Sequence, residues 1–335
     1  MPDAVNGTEP LVSIICTAYN QEKYIRNCLD GFLMQKTDFP YEIIVHDDAS
    51  TDQTAEIIRE YERKHPECIR AIYQTTNQYS QGIRIVQTFI YPKTRGKFIA
   101  YCEGDDYWTD PLKLEKQVTA LYAHPDCRLC LHRVEDVSED GRPIGITCPK
   151  EHLTTGGMDS EQFIGKNSDF FHLSSYFHYR EDLLPFYSDL PEFCRISDVG
   201  DKPLMLYFGQ LGNVYYIDEA MSCYRQNSVC SWTTTLMKSS KEKRLQHLQT
   251  TVRVFEEYDR FTRFQYHNAV QKMIDKASFQ VAVYTFPYRE PLDKKFKTIF
   301  RNLSRKEKTR IYLRAAFPRT VPKFEAFIRS KHKNV

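Results

Sequence analysis

GKFIAYCEGDDYWTDPLKLEKQV, residues 96–118, decides how this chain folds. Lys97 to Cys102 is a short apolar run that reads as a buried strand, and it stops abruptly at Glu103-Gly104-Asp105-Asp106. Asp110 and Pro111 then read as the N-cap and first residue of a helix, with Leu114, Val118 and Leu121 on its inward face. A buried strand that ends in acids and runs into a helix is one half of a strand–helix–strand unit.

The residues upstream repeat that unit. Leu11 to Thr17 is apolar and ends in the polar Tyr19 and Asn20; Ile25, Cys28, Leu29, Phe32 and Leu33 follow at helical spacing. Tyr41 to His46 is the next strand, ended by Asp47 and Asp48. Ser50 with Gln53 predicts a capping box before a helix that faces inward with Ile57, Ile58 and Tyr61. A third strand fits Ile69 to Gln74, and a helix fits Ile83, Val86 and Ile90. Strands and helices alternating at this spacing predict an α/β fold, a mainly parallel doubly wound sheet flanked by helices. Ligands of such sheets bind beyond the carboxyl ends of the strands, and here those ends carry Thr17 to Asn20, Asp47 with Asp48, and Asp105 with Asp106.

Beyond residue 135 the pattern loosens. Phe170 to Tyr179 and Val214 to Ile217 read as strands, Pro203 to Phe208 as a short helix, and the chain turns helical after Trp232. The predicted organisation is a catalytic domain over 1–232, divided into a nucleotide half (1–135) and an acceptor half (136–232), then a helical extension over 233–335.

Composition narrows the function classes. With 41% apolar and 27% charged residues in 335, the chain has an ordinary globular make-up. No run of about 18 apolar residues occurs, and the acidic, polar stretch from Met1 to Pro10 predicts neither a signal peptide nor an amphipathic anchor. Ten cysteines, most of them in apolar runs such as those around Cys16, Cys102 and Cys223, suit buried thiols of a cytoplasmic protein. Cys127 and Cys130 form a lone C-x-x-C without a second pair at zinc spacing, so packing in a strand is the better reading. From Pro291 onward 14 Lys and Arg stand against 3 Asp and Glu, a net of +11, which leaves −9 for residues 1–290 from a total of +2. Phe296, Ile299, Phe300, Tyr312, Leu313, Phe317 and Phe327 interleave with those cations, as they do in interfacial helices. A solvated helical face is the plainer alternative. The expected location is cytoplasmic, peripheral at the inner face of the cytoplasmic membrane.

Adjacent carboxylates repel unless a cation shares them, and their hard oxygens suit Mg2+ or Mn2+. Asp105 and Asp106 therefore read either as a cation site or as a helix cap. One of Asp47 and Asp48 reads either as an acceptor for a nucleobase imide, with the Tyr19 ring over the base, or as a cap for the next helix. Trp108 and Trp232 read as indole faces beside an acceptor sugar or as packing. His172, Ser174 and Ser175 read as satisfied core groups.

Three blocks taken together are more specific. LVSIICTAYNQEKYIRNCLDGFLMQ (11–35), YEIIVHDDASTDQT (41–54) and residues 96–118 resemble, in order and separation, the family 2 glycosyltransferases of the GT-A fold. The resemblance implies that Thr17 and Tyr19 line a nucleotide pocket, that Asp48 reads a uracil or thymine edge with Asp47 in support, that Asp105 touches ribose or donor sugar, and that Asp106 is the metal ligand. ISDVGDKPLMLYFGQLGNVYYIDEAMSCYR (196–225) resembles the region of the family's general base, which implies Asp201 as base with Asp198 as competitor. The family often has Tyr-Arg-x-His after that strand, whereas this chain reads Tyr224-Arg225-Gln226-Asn227. Asn227 is a poor metal ligand, and Arg225 either contributes charge at the diphosphate or pairs structurally.

The resulting expectation is an inverting, Mn2+- or Mg2+-dependent transferase that moves sugar from a UDP- or dTDP-sugar to a glycan or lipid-linked acceptor, in surface polysaccharide synthesis. Two rivals stand beside it. A nucleotidyltransferase would carry a Gly-rich basic loop where this chain has Ala18 to Glu22. A non-catalytic nucleotide-sugar-binding relative would not need the acids. No zinc finger, helix-turn-helix or RNA-binding pattern supports a nucleic-acid partner.

Overall fold

The computed structural model describes residues 9–166, 171–228, 231–286 and 288–321. Strands β1 (Val12–Ala18), β2 (Tyr41–Asp47), β3 (Ile69–Tyr73) and β4 (Phe98–Glu103) alternate with α1 (Ile25–Leu33) and α2 (Thr54–Lys64). They pair in parallel in the order β3-β2-β1-β4; β1, β2 and β4 are buried almost throughout, whereas the edge strand β3 buries only Ile69 and exposes Arg70. The order reverses between β1 and β4: the chain leaves β1 for β2 and β3 on one side and returns to β4 on the other. Such a reversal opens a crevice at the carboxyl ends of the two central strands. Register puts Ala18 opposite Asp47 and Thr17 opposite Glu103, so the ends of β1, β2 and β4 share one rim.

After β5 (Tyr107–Trp108) and α3 (Lys113–Ala123) the sheet becomes mixed. β6 (Cys127–Val137) runs parallel to β10 (Asn213–Arg225), β9 (Phe177–Tyr179) is antiparallel to both β4 and β6, and β7 (Pro143–Cys148), β8 (Gly156–Met158) and β5 add short antiparallel edges. Short helices α4 (Ser160–Lys166), α5 (Leu183–Ser188), α6 (Glu192–Arg195), α7 (Asp201–Leu211) and α8 (Trp232–Lys238) fill the remainder. Cys127 and Cys130 sit buried in β6, and the nine described cysteines are all free thiols.

Several boundaries differ from the sequence reading. α2 starts at Thr54, since Asp52 rather than Ser50 accepts from the Thr54 amide (2.9 Å). α3 starts at Lys113, with Asp110 accepting from the Leu112 amide (2.8 Å) in the turn before it. Ile83 to Ile90 forms only one π-helical turn, Val86–Ile90. The strand expected from Phe170 shrinks to β9 behind a 3-10 turn at Leu173–Ser175, and Phe170 lies outside the described residues. β10 continues to Arg225 because shifts of register between Ile217 and Ser222 break its alternation and hide its length.

The chain groups into two compact units: Met1–Pro191 with Leu204–Thr235, and Glu192–Pro203 with Leu236–Val335. In the second unit α9 (Lys241–Phe261) packs on α10 (His267–Tyr284), and α6 lies on α9 with Phe193 edge-on to Tyr258 at 5.2 Å. Phe279, Ala282, Phe296 and Ile311 build a smaller core with α11 (Lys297–Asn302) and α12 (Arg305–Ala316). α12 opens on a capping box of Ser304 and Glu307, and leaves Tyr312 and Leu313 exposed, as is Phe317 after it. Among the described residues, no helix is long and apolar enough to cross a membrane.

Candidate functional site

The rim begins with two loops tied together. Leaving β1, the Asn20 amide donates to Ser50 Oγ (2.9 Å), the Gln21 amide to Thr54 Oγ1 (2.7 Å) and the Glu22 amide to Asp52 Oδ2 (3.1 Å). In return the Thr51 amide donates to Asn20 Oδ1 (2.8 Å) and the Gln53 amide to Glu22 Oε2 (2.9 Å). Asn20 and Ala49 both hold positive φ, 52° and 61°. For a residue with a Cβ that conformation is strained and persists only where its surroundings impose it. Thr17 and Tyr19 are half-buried at this edge.

Asp47 and Asp48 end β2, each 2% exposed. Asp47 Oδ2 accepts from the Ser50 amide (3.3 Å), its Oδ1 makes no hydrogen bond, and burial raises its pKa above the usual carboxylate value. Asp48 is better satisfied: Oδ1 accepts from the Gln78 amide (2.8 Å) and Oδ2 from the Tyr79 amide (3.0 Å). Its carboxylate thus anchors the loop that follows β3.

Glu103, Asp105 and Asp106 follow from β4. Gly104 between them sits close to α1: a Cβ there would meet Gln21 Oε1 at 2.3 Å and Ile25 Cδ1 at 2.9 Å, so those side chains would have to shift. Asp105 Oδ2 accepts from Ser228 Oγ (2.5 Å), and burial raises its pKa. Asp106, 1% exposed, accepts from the Arg225 amide on Oδ1 (2.8 Å), while its Oδ2 makes no hydrogen bond. Desolvation and then the charges of Asp105 and Glu103 push its pKa well up. An orphaned buried carboxylate oxygen costs about 1–3 kcal/mol or more unless a cation or proton reaches it.

A histidine stands next to that oxygen. His172 Nε2 lies 3.4 Å from Asp106 Oδ2, and one donor atom each from Glu103, Asp106 and His172 fall within 4.8 Å of one another. His172 is buried, its pKa is pushed down to about 3 by desolvation, and its ring stacks on Tyr224 at 4.2 Å. Two carboxylates and a neutral imidazole form a donor set that fits a divalent cation, and the hydrogen-bond-free oxygen points the same way. The sequence singles out Asp106; it does not single out Glu103, and it reads His172 as a satisfied core group. Glu103 was overlooked beside the adjacent acidic pair, although it is the last strand residue before the turn. His172 lies about 70 residues along the chain, in a stretch without motif, and only β9's return beside β4 brings it there.

The other candidates are placed as follows. Arg225 is 2% exposed and donates from Nε to the Asp105 carbonyl (2.9 Å) and from NH1 to the Glu139 carbonyl (2.7 Å), with the Tyr24 ring 4.7 Å from its guanidinium. It is a structural clamp on the acidic turn. Asn227 is exposed with φ 62°, between Gln226 and the Ser228 that serves Asp105. Trp108 is a core side chain, 2% exposed, edge-on to Phe32 at 4.8 Å and under Lys113 Nζ at 4.0 Å, so it offers no free indole face to a sugar. Trp232, at the start of α8, is half-buried. In the second unit's segment, Asp201 opens α7 and accepts the Lys202 amide on Oδ1 (2.8 Å), and Asp198 is paired with His247 Nδ1 (2.7 Å).

Residues 13–184 match the pattern of glycosyl transferase family 2. An uncharacterised protein of Mycobacterium tuberculosis is 38% identical over 224 residues, 66% of this chain and 60% of its own length, so the chain spans less than two thirds of that relative. TuaG of Bacillus subtilis, whose name marks it as a teichuronic acid biosynthesis glycosyltransferase, is 31% identical over 136 residues, 41% of this chain and 51% of TuaG. Among solved structures, S. aureus TarS in complex with UDP-GlcNAc superposes over 96% of this chain and 92% of its own, with TM-score 0.56 and 17% identity. The mannosyltransferase PcManGT of Pyrobaculum calidifontis, solved with GDP-Man and Mn2+, covers 94% of this chain and 90% of its own at TM-score 0.51 and 18% identity. At these identities the structural likenesses establish the fold, which is GT-A.

Proposed function

The chain belongs to glycosyl transferase family 2, and from that premise we propose that it transfers a sugar, with inversion, from a UDP- or dTDP-sugar to a hydroxyl of a glycan or lipid-linked acceptor in surface polysaccharide synthesis. The observation that carries the reading is the buried, hydrogen-bond-free Oδ2 of Asp106 beside Glu103 and His172, at the reversal point of the sheet.

Thr17 and Tyr19 border the nucleotide, and Asp48 accepts from the base imide with lone pairs left over from the amides of Gln78 and Tyr79. Asp47 supports that loop. Asp105, held by Ser228, faces ribose or donor sugar. Glu103, Asp106 and His172 would hold Mn2+ or Mg2+, which when bound neutralises charge growing on the departing diphosphate. Arg225 keeps the acidic turn in place through the Asp105 and Glu139 carbonyls, which leaves the metal site without help from Asn227. Asp201 takes the proton of the acceptor hydroxyl as the new C–O bond forms; a carboxylate is basic enough because the proton leaves only in the transition state. Asp198 is the weaker candidate, being already paired with His247. Support for a location on an anionic membrane surface comes from the basic stretch around α12 with its exposed Tyr312, Leu313 and Phe317.

A nucleotidyltransferase reading gains nothing from the fold, since Asn20, Gln21 and Glu22 spend their amides on the start of α2 rather than on a phosphate cradle. The test is a donor-hydrolysis and transfer screen over UDP-, dTDP- and GDP-sugars with Mn2+. Release of nucleoside diphosphate from one class is expected; release of pyrophosphate from a nucleoside triphosphate with sugar phosphate would overturn the proposal.

A further inference from the structure

We propose that the chain carries a second saccharide subsite outside the donor site, in the cleft between the start of α1 and the turn that joins β6 to β7, where further residues of a glycan acceptor bind. The inference rests on the glycosyltransferase reading above and extends it from the reacting sugar to the chain behind it.

The cleft measures about 590 Å³, within the usual range of ligand sites. Lys23, Tyr24 and Asn27 form one wall, Glu139 and Asp140 of the turn form the other, and Arg225 lies at the floor. Its frame is fixed. Tyr24 Oη donates to Glu139 Oε1 (3.0 Å), Arg225 Nη1 donates to the Glu139 carbonyl (2.7 Å), and the Tyr24 and Tyr107 rings lie 4.7 and 5.4 Å from the guanidinium. The turn closes through the Ser138 amide on the Arg142 carbonyl (2.8 Å) and the Gly141 amide on the Ser138 carbonyl (2.9 Å), with Gly141 at φ 83°. A site ordered in advance loses less entropy when it binds.

Within that frame several polar groups stay uncommitted. Among the described residues, the Asn27 side-chain amide, Arg225 Nη2 and Glu139 Oε2 make no hydrogen bond, and Lys23 Nζ stands 3.5 Å from Glu139 Oε1 with its side chain 62% exposed. Arg225, Lys23 and one end of Asn27 donate; Glu139 and the other end of Asn27 accept. That mixture complements hydroxyl groups, each of which can donate and accept. Charge narrows the ligand further. Lys23 and Arg225 face Glu139 and Asp140, so an anion would meet two carboxylates and a cation would meet two cations, whereas a neutral polyhydroxylated ring finds partners of both kinds and carries no charge to desolvate. The guanidinium covers the Tyr24 ring, which is 4% exposed, so recognition here is by hydrogen bonds rather than by stacking.

Arg225 links the cleft to the reaction centre. Its amide holds Asp106 Oδ1 (2.8 Å) and its Nε holds the Asp105 carbonyl (2.9 Å), while its guanidinium ends in the cleft. One side chain separates the two, so a glycan that passes over the acidic turn meets the cleft with its next residues.

The intact, isotope-labelled protein is titrated by nuclear magnetic resonance with glucose, N-acetylglucosamine and the β-linked trisaccharide of each, and separately with UDP and Mn2+. Saturable shifts of the Asn27 side-chain amide and of Arg225 Nε–H are expected from a trisaccharide, with weaker binding of the monosaccharide. Asn27→Ala should weaken the trisaccharide about 3–10-fold, the loss of one hydrogen bond, read from the Arg225 signal. Asn27 is exposed on α1, so its truncation removes no core contact. If no sugar moves these two signals, or glycerol moves them equally, the inference is overturned. Shifts of the Thr17, Tyr19 and Asp48 amides with UDP and Mn2+ would in that case leave the glycosyltransferase reading standing; silence of those amides towards every nucleotide would count against that reading instead.

Discussion

Asp47-Asp48 and Asp105-Asp106 look alike in sequence and finish differently in space. Both pairs close a buried strand at the same rim, and each pair contains a carboxylate almost without exposure. Asp48 meets two backbone amides, one per oxygen, from a neighbouring loop. Asp106 meets one amide on one oxygen and a histidine without hydrogen-bond geometry on the other. Asp48 puts both oxygens on backbone amides and holds a loop, whereas Asp106 keeps one oxygen without a hydrogen bond. Adjacent acids at a strand end are thus not one signal but two, and the donors that reach them from elsewhere in the fold tell them apart.

If that contrast is right, mutations should separate the pairs. Asp106→Ala is expected to have the largest effect, a loss of roughly 10³-fold in kcat/KM together with Mn2+-dependent nucleotide binding; calorimetry with and without Mn2+ checks it, and metal-independent binding of wild type would erase the distinction. Asp201→Asn should lower kcat by about 10²-fold with donor affinity kept, which isolates the base from both pairs; loss of donor binding would assign it to the nucleotide instead. Asp48→Asn should cost about 1–3 kcal/mol of stability, because one of its two amide partners loses its acceptor, and should weaken donor binding without altering Mn2+ affinity. A change in Mn2+ affinity in that variant would merge the two pairs. The smallest effect is expected from replacing Arg305, Lys306, Lys308 and Arg310 on α12 with Gln: sedimentation with anionic liposomes should fall, by the equivalent of about 1 kcal/mol per charge near the surface at most, while transfer to a soluble acceptor is unchanged.

Much of the first half was readable because local rules and global fold agree there. β1, β2, β3 and β4 start and stop within a residue or so of their expected limits, since each is an apolar run closed by polar residues at the rim. Helix starts were off by three residues at α2 and two at α3, where Asp52 and Asp110 take the backbone amides of the turn before or at the helix start. Trp108 could not be placed from sequence, because an indole two residues after an acidic pair is equally consistent with a groove wall and with the core, and only Phe32 and Lys113 decide. The second half was less legible. Its antiparallel strands are short, and β10 is interrupted by register shifts that defeat a period-two pattern.

The sequence by itself determined the parallel core, the rim and the acids on it, because hydrophobic period and strand termination are local properties of the chain. Tertiary structure alone decided that His172 and Glu103 share a cluster with Asp106, that each Asp48 oxygen takes a backbone amide, that Arg225 clamps the acidic turn, and that Glu192–Pro203 groups with the C-terminal helices. Those are contacts between residues tens of positions apart, set by strand order and by which buried donors remain unpaired, and neither quantity is written in any single stretch of sequence.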